Sequence, residues 1–480
     1  MPRLSELLVP LLDEDPEIGG LTADSRKVRP GDLFAALPGT RNDGRDFIAD
    51  AVKRGAAAIL APRGTAIGET QAALITDDNP RRKFAQAAAQ FFAPQPKTVV
   101  AVTGTNGKTS VVNFTRQIWA ALGLKAASLG TLGINAPGRI VAGSLTTPDP
   151  VDLHRTLAEL AHDGVTHAAM EASSHGLDQF RLDGVSIAAA AFTNLTHDHL
   201  DYHGDMGSYW NAKRRLFTEV MAPRHAAVIN ADSPYARELV TQCRNHWHKI
   251  VSFGEKGEDL RLRKLVPLAH GQELELAVMG AIRKVRLPLA GAFQASNAVC
   301  ALGLVIATGG DPVAAVAALE QLEGVPGRLQ HVASTKNGAA IYVDYAHTPD
   351  AIATVLKALR PHATGKLRVV FGAGGDRDAT KRPEMGRAAA EFADSLYVTD
   401  DNPRSEDPAL IRAAILKGCP GAREITERRA AIQTAVRELE AGDVLLLAGK
   451  GHETGQIVGD KILPFNDADE ARHAVEELGA

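Results

Sequence analysis

Lys108 and Thr109 close the run Thr103-Gly104-Thr105-Asn106-Gly107. The apolar, β-branched segment Val99-Val100-Ala101-Val102 enters it, and a helical pattern that ends near Gly123 follows. Strand, glycine loop and helix in that order are what a phosphate-binding loop requires. Glycines let the main chain approach phosphate oxygens, and the first N–H groups of the helix turn positive potential toward them. Lys108 would reach the β- and γ-phosphates of a nucleotide such as ATP, and the Thr109 hydroxyl would hold Mg²⁺. The spacing, Gly-x-x-Gly-Lys-Thr, is shorter than a full Walker A loop, which would carry glycine where Val102 stands.

Further along, Thr166 to Met170 reads as an apolar strand with a carboxylate, Glu171, at its C-terminal end. Parallel α/β sheets bind ligands along that edge, so Glu171 is a candidate for Mg²⁺; a strand-end acid paired with a surface lysine is the alternative. The strand Val185–Thr193 is expected to run into Asn194-Leu195-Thr196-His197-Asp198-His199-Leu200-Asp201-Tyr202-His203. That density of imidazoles and carboxylates suits a zinc site, a Mg²⁺-nucleotide site or a polar loop of helix caps; its place after a strand beside the phosphate loop favours the second. Lys213, Arg214 and Arg215 lie on a helix and read, by themselves, as solvated surface charges.

These groups need a scaffold. At 480 residues the chain has room for roughly three domains. The balance of 53 Lys and Arg against 57 Asp and Glu gives −4, which leaves no footprint for nucleic-acid binding. The three cysteines, Cys243, Cys300 and Cys419, are widely spaced and read as buried thiols in a reducing compartment. No apolar run approaches a membrane span, and the opening run to Pro10 lacks the apolar core of a secretory leader, so a cytoplasmic protein is expected.

The first unit, residues 1–95, reads as a small α/β module. Residues 96–326 carry the phosphate loop and a β-rich insertion over 257–290. Residues 327–480 repeat one plan four times: a buried strand followed by a polar loop, ending in Asp344-Tyr345-Ala346-His347, Gly374-Gly375-Asp376-Arg377, Asp401-Asn402-Pro403-Arg404 and Gly449-Lys450-Gly451-His452-Glu453. Four such strands predict a Rossmann-like sheet with a site along one edge, and no acidic residue is placed for NAD.

Taken together, the phosphate loop, Glu171, Asp198-His199, Asn297, Gly327-Arg328 and Tyr342-Val343-Asp344-Tyr345-Ala346-His347 resemble the Mur ligases over essentially the whole chain. The resemblance implies an α/β protein of three domains. These are an N-terminal UDP-substrate module (1–95), a central P-loop ATPase domain with a mostly parallel sheet (96–326) and a C-terminal Rossmann-like amino-acid domain (327–480). Asp24-Ser25-Arg26, Ser173-Ser174-His175-Gly176, Gly375-Asp376-Arg377, Asp401–Arg404 and Gly449–Glu453 look most like the members that add meso-2,6-diaminopimelate to the D-Glu γ-carboxylate of UDP-MurNAc-L-Ala-D-Glu. ATP drives that reaction through an acyl phosphate, in the cytoplasm, and a monomer is expected.

By the same resemblance, Ala23, Ser25 and the turn Thr40-Arg41-Asn42 bind the UDP part, the turn departing from the His-Gln-Ala of some relatives. Thr146, Thr147, Ser173, Gln179 and Arg181 hold the muramoyl-dipeptide. Gly104, Thr105, Asn106, Gly107, Lys108, Thr109, Asn297 and Arg328 bind ATP, with Asp344 near its ribose or phosphates. Thr109, Glu171, His199 and a carbamylated Lys213 face Mg²⁺. Arg377, Asp401, Asn402, Pro403, Arg404, Gly449 and Glu453 form the diaminopimelate pocket. Arg404 would grip the carboxylate that distinguishes diaminopimelate from lysine, and with lysine it would be left buried and unpaired. A lysine-adding member, a folylpolyglutamate synthase and, in another class, an ATP-hydrolysing switch or transport module are the competing readings. Arg404, the first domain and the four C-terminal loops argue against them in turn.

Overall fold

Helices in this chain are started by a recurrent device. Asn79, Asp149, Thr348 and Asp407 each accept a backbone N–H of the first turn, and the next residue is proline. A capping side chain satisfies an orphan donor, and proline at the first helical position loses an N–H that had no partner. The computed structural model describes residues 1–8, 15–39, 42–143 and 145–479. It divides into two units, Met1–Phe253 with Cys300–Asp311, and Gly254–Val299 with Pro312–Ala480.

In the first unit, strands Gly20–Thr22, Asp32–Ala35, Ala58–Pro62 and Ala73–Asp77 form a four-stranded parallel sheet in chain order. Leu33, Leu60, Ile75 and Phe84 fill its core. A second sheet has Thr98–Thr103 in its interior, flanked by His167–Glu171 and Ala189–Phe192. Ala226–Asn230, Lys249–Gly254 and Ala126–Gly130 extend it in parallel, and a hairpin, Gly133–Ala136 with Arg139–Val141, adds antiparallel strands. The register sets Val102 beside Glu171 and Thr103 beside Phe192, so three strand ends finish level.

The strand expected over 185–193 is shorter, Ala189–Phe192. The Gln95 side-chain amide binds both the N–H and the C=O of Ser186, at 3.0 and 2.9 Å, which diverts that main chain from the ladder.

In the second unit, the β-rich segment is an antiparallel meander of Leu260–Pro267, Gln272–Val278 and Ala281–Leu287. The C-terminal sheet runs Gln330–Ser334, Ala340–Asp344, Val444–Ala448, Leu367–Phe371, Ser395–Val398, Arg423–Glu424, parallel except for the first strand. Asp344 aligns with Ala448, and Phe371 with Val398, so the four polar loops leave one edge, as expected. The three cysteines are free and buried. Among the described residues no helix is long and apolar enough to cross a membrane.

Candidate active site

The phosphate loop departs from the capping rule above. The helix Lys108–Ala121 is preceded by Gly107 at φ 88°, and no side chain caps it, so its first N–H groups are left for a ligand. Gly104 has φ 151°, and a Cβ there would lie 1.9 Å from Thr193 Oγ1. The loop is sewn to the neighbouring strand end: Thr105 N–H donates to Asn194 O (2.9 Å), Asn106 N–H to Asn194 Oδ1 (2.9 Å), and Thr193 Oγ1 to Asn106 O (2.6 Å). Thr109 is buried at the start of the helix.

Two lysines converge on this loop. Lys108 Nζ donates to the carbonyls of Gly104 and Thr105, both at 2.9 Å. Lys213 Nζ donates to the same Gly104 carbonyl at 2.8 Å and lies 4.4 Å from the centre of the Tyr209 ring. Lys213 is 1% exposed, and Arg215 is buried against Asp183 at 2.6 and 2.8 Å; neither is the solvated charge that the residues alone suggest. Burial, and then the nearby Lys108 charge, hold the Lys213 amine well below the usual lysine range, against a smaller upward pull from Asp198.

Glu171, 2% exposed, accepts Thr131 N–H on Oε1 (2.8 Å) and Thr131 Oγ1 on Oε2 (3.3 Å), so a threonine holds it and not a surface lysine. Thr131 Oγ1 in turn meets Thr146 Oγ1 at 3.0 Å. The remaining dipeptide candidates form one network. Thr147 Oγ1 donates to Glu171 O and accepts from Ser173 N–H and Oγ (2.9, 3.0 and 3.0 Å). Arg181 donates to Thr147 O and Gln179 Oε1, both at 2.7 Å. Gln179 reaches Tyr202, whose hydroxyl donates to Asp178. Thr131, Tyr202 and Asn194 escaped the sequence reading as individual residues, although Tyr202 and Asn194 stand in the quoted His-rich run.

That run does not gather a zinc site. Among the described residues no three His, Cys, Asp or Glu side chains are grouped to hold a metal ion. His199 takes φ 54° ahead of the short helix Leu200–His203, and its ring lies edge-on to His175 at 5.0 Å. Thr109, Glu171, anchored by Thr131, and His199 stay the candidates for a divalent cation. The hydroxyl and carboxylate oxygens of Thr109 and Glu171 are of the hard kind that suits Mg²⁺, and a Cβ at Gly130 would fall 2.0 Å from Glu171 Oε1, so only glycine there leaves the carboxylate its room.

The UDP candidates are less organised. Ser25 is buried, Ala23 is exposed, and Asp24 caps a short helix while pairing with Arg26 at 2.9 Å. Asn42 is an exposed turn residue whose carbonyl accepts Gly39 N–H, and Thr40 and Arg41 lie outside the described residues.

In the second unit, Asn297 and Arg328 are joined through a residue the sequence reading missed. Asn297 Nδ2 donates to Gln294 Oε1 (3.0 Å), and Gln294 Nε2 donates to Arg328 O (2.7 Å). Asp344 accepts the N–H groups of Leu329 and Ala346 at 2.7 and 2.8 Å, and burial raises its carboxyl to about 6 despite those bonds and the Arg328 charge. A Cβ at Gly327 would meet His452 N at 2.2 Å, which sets the Gly327-Arg328 turn against the Gly449–Glu453 loop.

The diaminopimelate candidates also assemble. Gly375 N–H donates to Asn402 O (2.9 Å), and Arg404 Nη1 donates to Gly375 O (2.6 Å). A Cβ at Gly449 would fall 2.5 Å from the Asp401 carboxylate. Arg404 sits at φ 53°, held by Arg404 N–H to Ile457 O (3.1 Å) and Gly459 N–H to Arg404 O (2.8 Å) from the hairpin of Gly455–Val458 and Lys461–Pro464. Arg404 is half-buried with a carbonyl partner, so rejection of lysine would not rest on a buried, unpaired guanidinium. Arg377 is exposed on the adjoining loop.

A glycine loop ahead of an uncapped helix on one sheet edge, and four polar loops on the edge of another, fit an ATP-dependent amide-forming ligase. The chain belongs to the Mur ligase family: residues 17–92 match the Mur ligase family catalytic domain, 102–305 the Mur ligase middle domain and 327–451 the Mur ligase glutamate ligase domain. It is 54% identical over 462 residues to the UDP-N-acetylmuramoyl-L-alanyl-D-glutamate–2,6-diaminopimelate ligase of Rhizobium meliloti (strain 1021), covering 96% of this chain and 95% of that protein. It is also 54% identical to the ligase of the same name from Caulobacter vibrioides, covering 100% and 99%. A solved structure of a ligase of that name superposes with a TM-score of 0.78 at 33% identity, covering 100% of this chain and 99% of that one.

Proposed function

We propose that this chain is the ATP-dependent ligase that joins meso-2,6-diaminopimelate to the D-Glu γ-carboxylate of UDP-MurNAc-L-Ala-D-Glu in peptidoglycan synthesis, acting as a cytoplasmic monomer. Residues 1–95 take the UDP moiety, 96–326 ATP and 327–480 the amino acid. The observation that carries the reading is the hydrogen-bonded path from Glu171 through Thr131 to Thr146, and through Thr147 to Ser173 and Arg181. It ties the phosphate-loop edge to hydroxyls and a guanidinium, groups whose chemistry suits a carboxylated acceptor.

A carboxylate is a poor electrophile, so the γ-phosphoryl group of ATP is first transferred to it, with ADP leaving; the amine then displaces phosphate and loses a proton. Such transfer needs positioning and charge neutralisation. The uncapped helix N-terminus and Lys108 supply both at the phosphates, and Arg181 holds the acceptor. Mg²⁺, held by Thr109, Glu171, His199 and the Lys213 carbamate, would offset the phosphate charge. Carbamylation joins the neutral Lys213 amine to CO₂ with loss of one proton, and burial shifts that amine toward its neutral form. Arg404 and Glu453 bind the far carboxylate and an ammonium of diaminopimelate.

Phosphate release by the purified protein, with ATP, Mg²⁺ and UDP-MurNAc-L-Ala-D-Glu and with the amino acid varied, tests this. Release that depends on meso-diaminopimelate is expected. Release independent of any amino acid, or equal with L-lysine, would defeat it.

A further inference from the structure

Lys450 is fully buried, and its ammonium lies between two members of the amino-acid pocket. Its Nζ donates to Asn402 Oδ1 at 3.0 Å and to Glu453 Oε2 at 3.2 Å. Asn402 closes the triangle, its Nδ2 donating to Glu453 Oε2 at 2.9 Å while its Oδ1 also accepts Ile457 N–H at 2.9 Å.

An ammonium has donors and no acceptor, whereas a carboxamide has one face of each kind. Lys450 and the Ile457 N–H therefore decide which way round the Asn402 amide sits, and the amide then turns its NH₂ group to Glu453. Both bonds to Glu453 fall on Oε2. Among the described residues Oε1 takes none, and Glu453 is about a third exposed, so one carboxylate oxygen is fixed and the other is left to accept. A buried cation is costly unless it is paired, and here its partners are two residues of a binding pocket.

We propose that Lys450 is a positioning residue for the incoming amino acid: through Asn402 and Glu453 it sets the acceptor for a substrate ammonium without touching the substrate. The proposal rests on the reading of Asn402, Arg404 and Glu453 as the diaminopimelate pocket. Arg404 shares Ile457 and Gly375 with Asn402, but its own bonds, to Ile457 O, Gly459 N–H and Gly375 O, are to main chain and none involves Lys450 or Glu453. Loss of Lys450 should therefore weaken grip on the ammonium end and leave the choice between a diacid and lysine intact.

The test is steady-state kinetics on the full-length Lys450→Met protein. The KM for meso-diaminopimelate is expected to rise about tenfold or more, with kcat within about threefold, the KM for ATP unchanged and the preference over L-lysine kept. Lys450→Gln, which retains an N–H donor, should recover part of the loss. Lys450→Met added to Asn402→Ala should cost little beyond Asn402→Ala alone, because the two act along one path. An unchanged KM for diaminopimelate in a folded Lys450→Met protein overturns the proposal. So do independent, multiplying losses, an equal loss for every substrate with a lowered melting temperature, or failure of both Lys450 variants to fold. A wild-type protein that gives no diaminopimelate-dependent phosphate release overturns the functional reading itself, whatever Lys450 does.

Discussion

Lys108 and Lys213 donate to the same oxygen, the carbonyl of Gly104. Two ammonium groups cannot share a buried acceptor without strong repulsion, and Lys213, the more enclosed, is the one whose amine is driven toward neutrality. A neutral amine is the form that captures CO₂, so the geometry that disfavours a second cation favours its conversion to an anion.

Replacing Lys213 with alanine is accordingly expected to lower kcat by about a hundredfold or more. Short carboxylates such as acetate should restore part of the rate by filling the space that the carbamate oxygens would occupy. Bicarbonate should stimulate the unmodified protein. Full activity of Lys213→Ala in carbonate-free buffer would falsify the carbamate role.

Arg404→Ala should raise the KM for meso-diaminopimelate about a hundredfold, in line with loss of a charge-assisted pair, and leave the KM for ATP unaltered. Because Gly375 O already accepts from Arg404, the unmodified protein should admit L-lysine weakly and not exclude it outright. Competition assays with both amino acids check both statements.

Gly104→Ala should damage the loop without removing a functional group. The added methyl would meet Thr193 Oγ1 at 1.9 Å in a backbone conformation that side chains rarely adopt. A cost of about 2–4 kcal/mol in stability is expected, together with weaker ATP binding. Thermal melts with and without nucleotide read both effects, and wild-type values in both would contradict the close approach.

Acid should weaken the first unit through His154. This buried ring contacts Asp183 O at 3.3 Å, and burial lowers its pKa to about 4. Between pH 6.5 and about 4 the unfolded chain holds a proton that the folded chain lacks, so stability falls as pH falls through that window, by up to about 3 kcal/mol. Melting temperatures at pH 7.5 and 4.5 should converge in His154→Gln, and an unchanged pH dependence in that variant would contradict this.

The phosphate loop, Glu171 and the four C-terminal loops were legible in the sequence because strand ends carry polar residues where apolar runs stop. The local pattern did not reveal that Lys213 and Arg215 are buried. A helix with three successive basic residues reads as surface, and only the packing of that helix against the Gly104 loop and Asp183 reverses it. Thr131 and Gln294 were invisible for a related reason: each acts by bridging segments far apart in sequence, and a lone Thr or Gln announces nothing. The shortened strand at Ala189 reflects a side chain, Gln95, imitating a neighbouring backbone.

The four C-terminal strands stop level with one another at Asp344, Phe371, Val398 and Ala448. Their buried residues therefore form a chassis on which the short heads 374–378 and 401–406 are mounted. Grafting those heads from a ligase of different appetite must carry their buried partners along, Lys450 with Asn402 and Arg382 with Glu406. On the proposed reading of the pocket, retargeting the chain to a new amine means rewriting about a dozen loop positions together with those partners, and chimeras that keep the pairs should melt close to the parent.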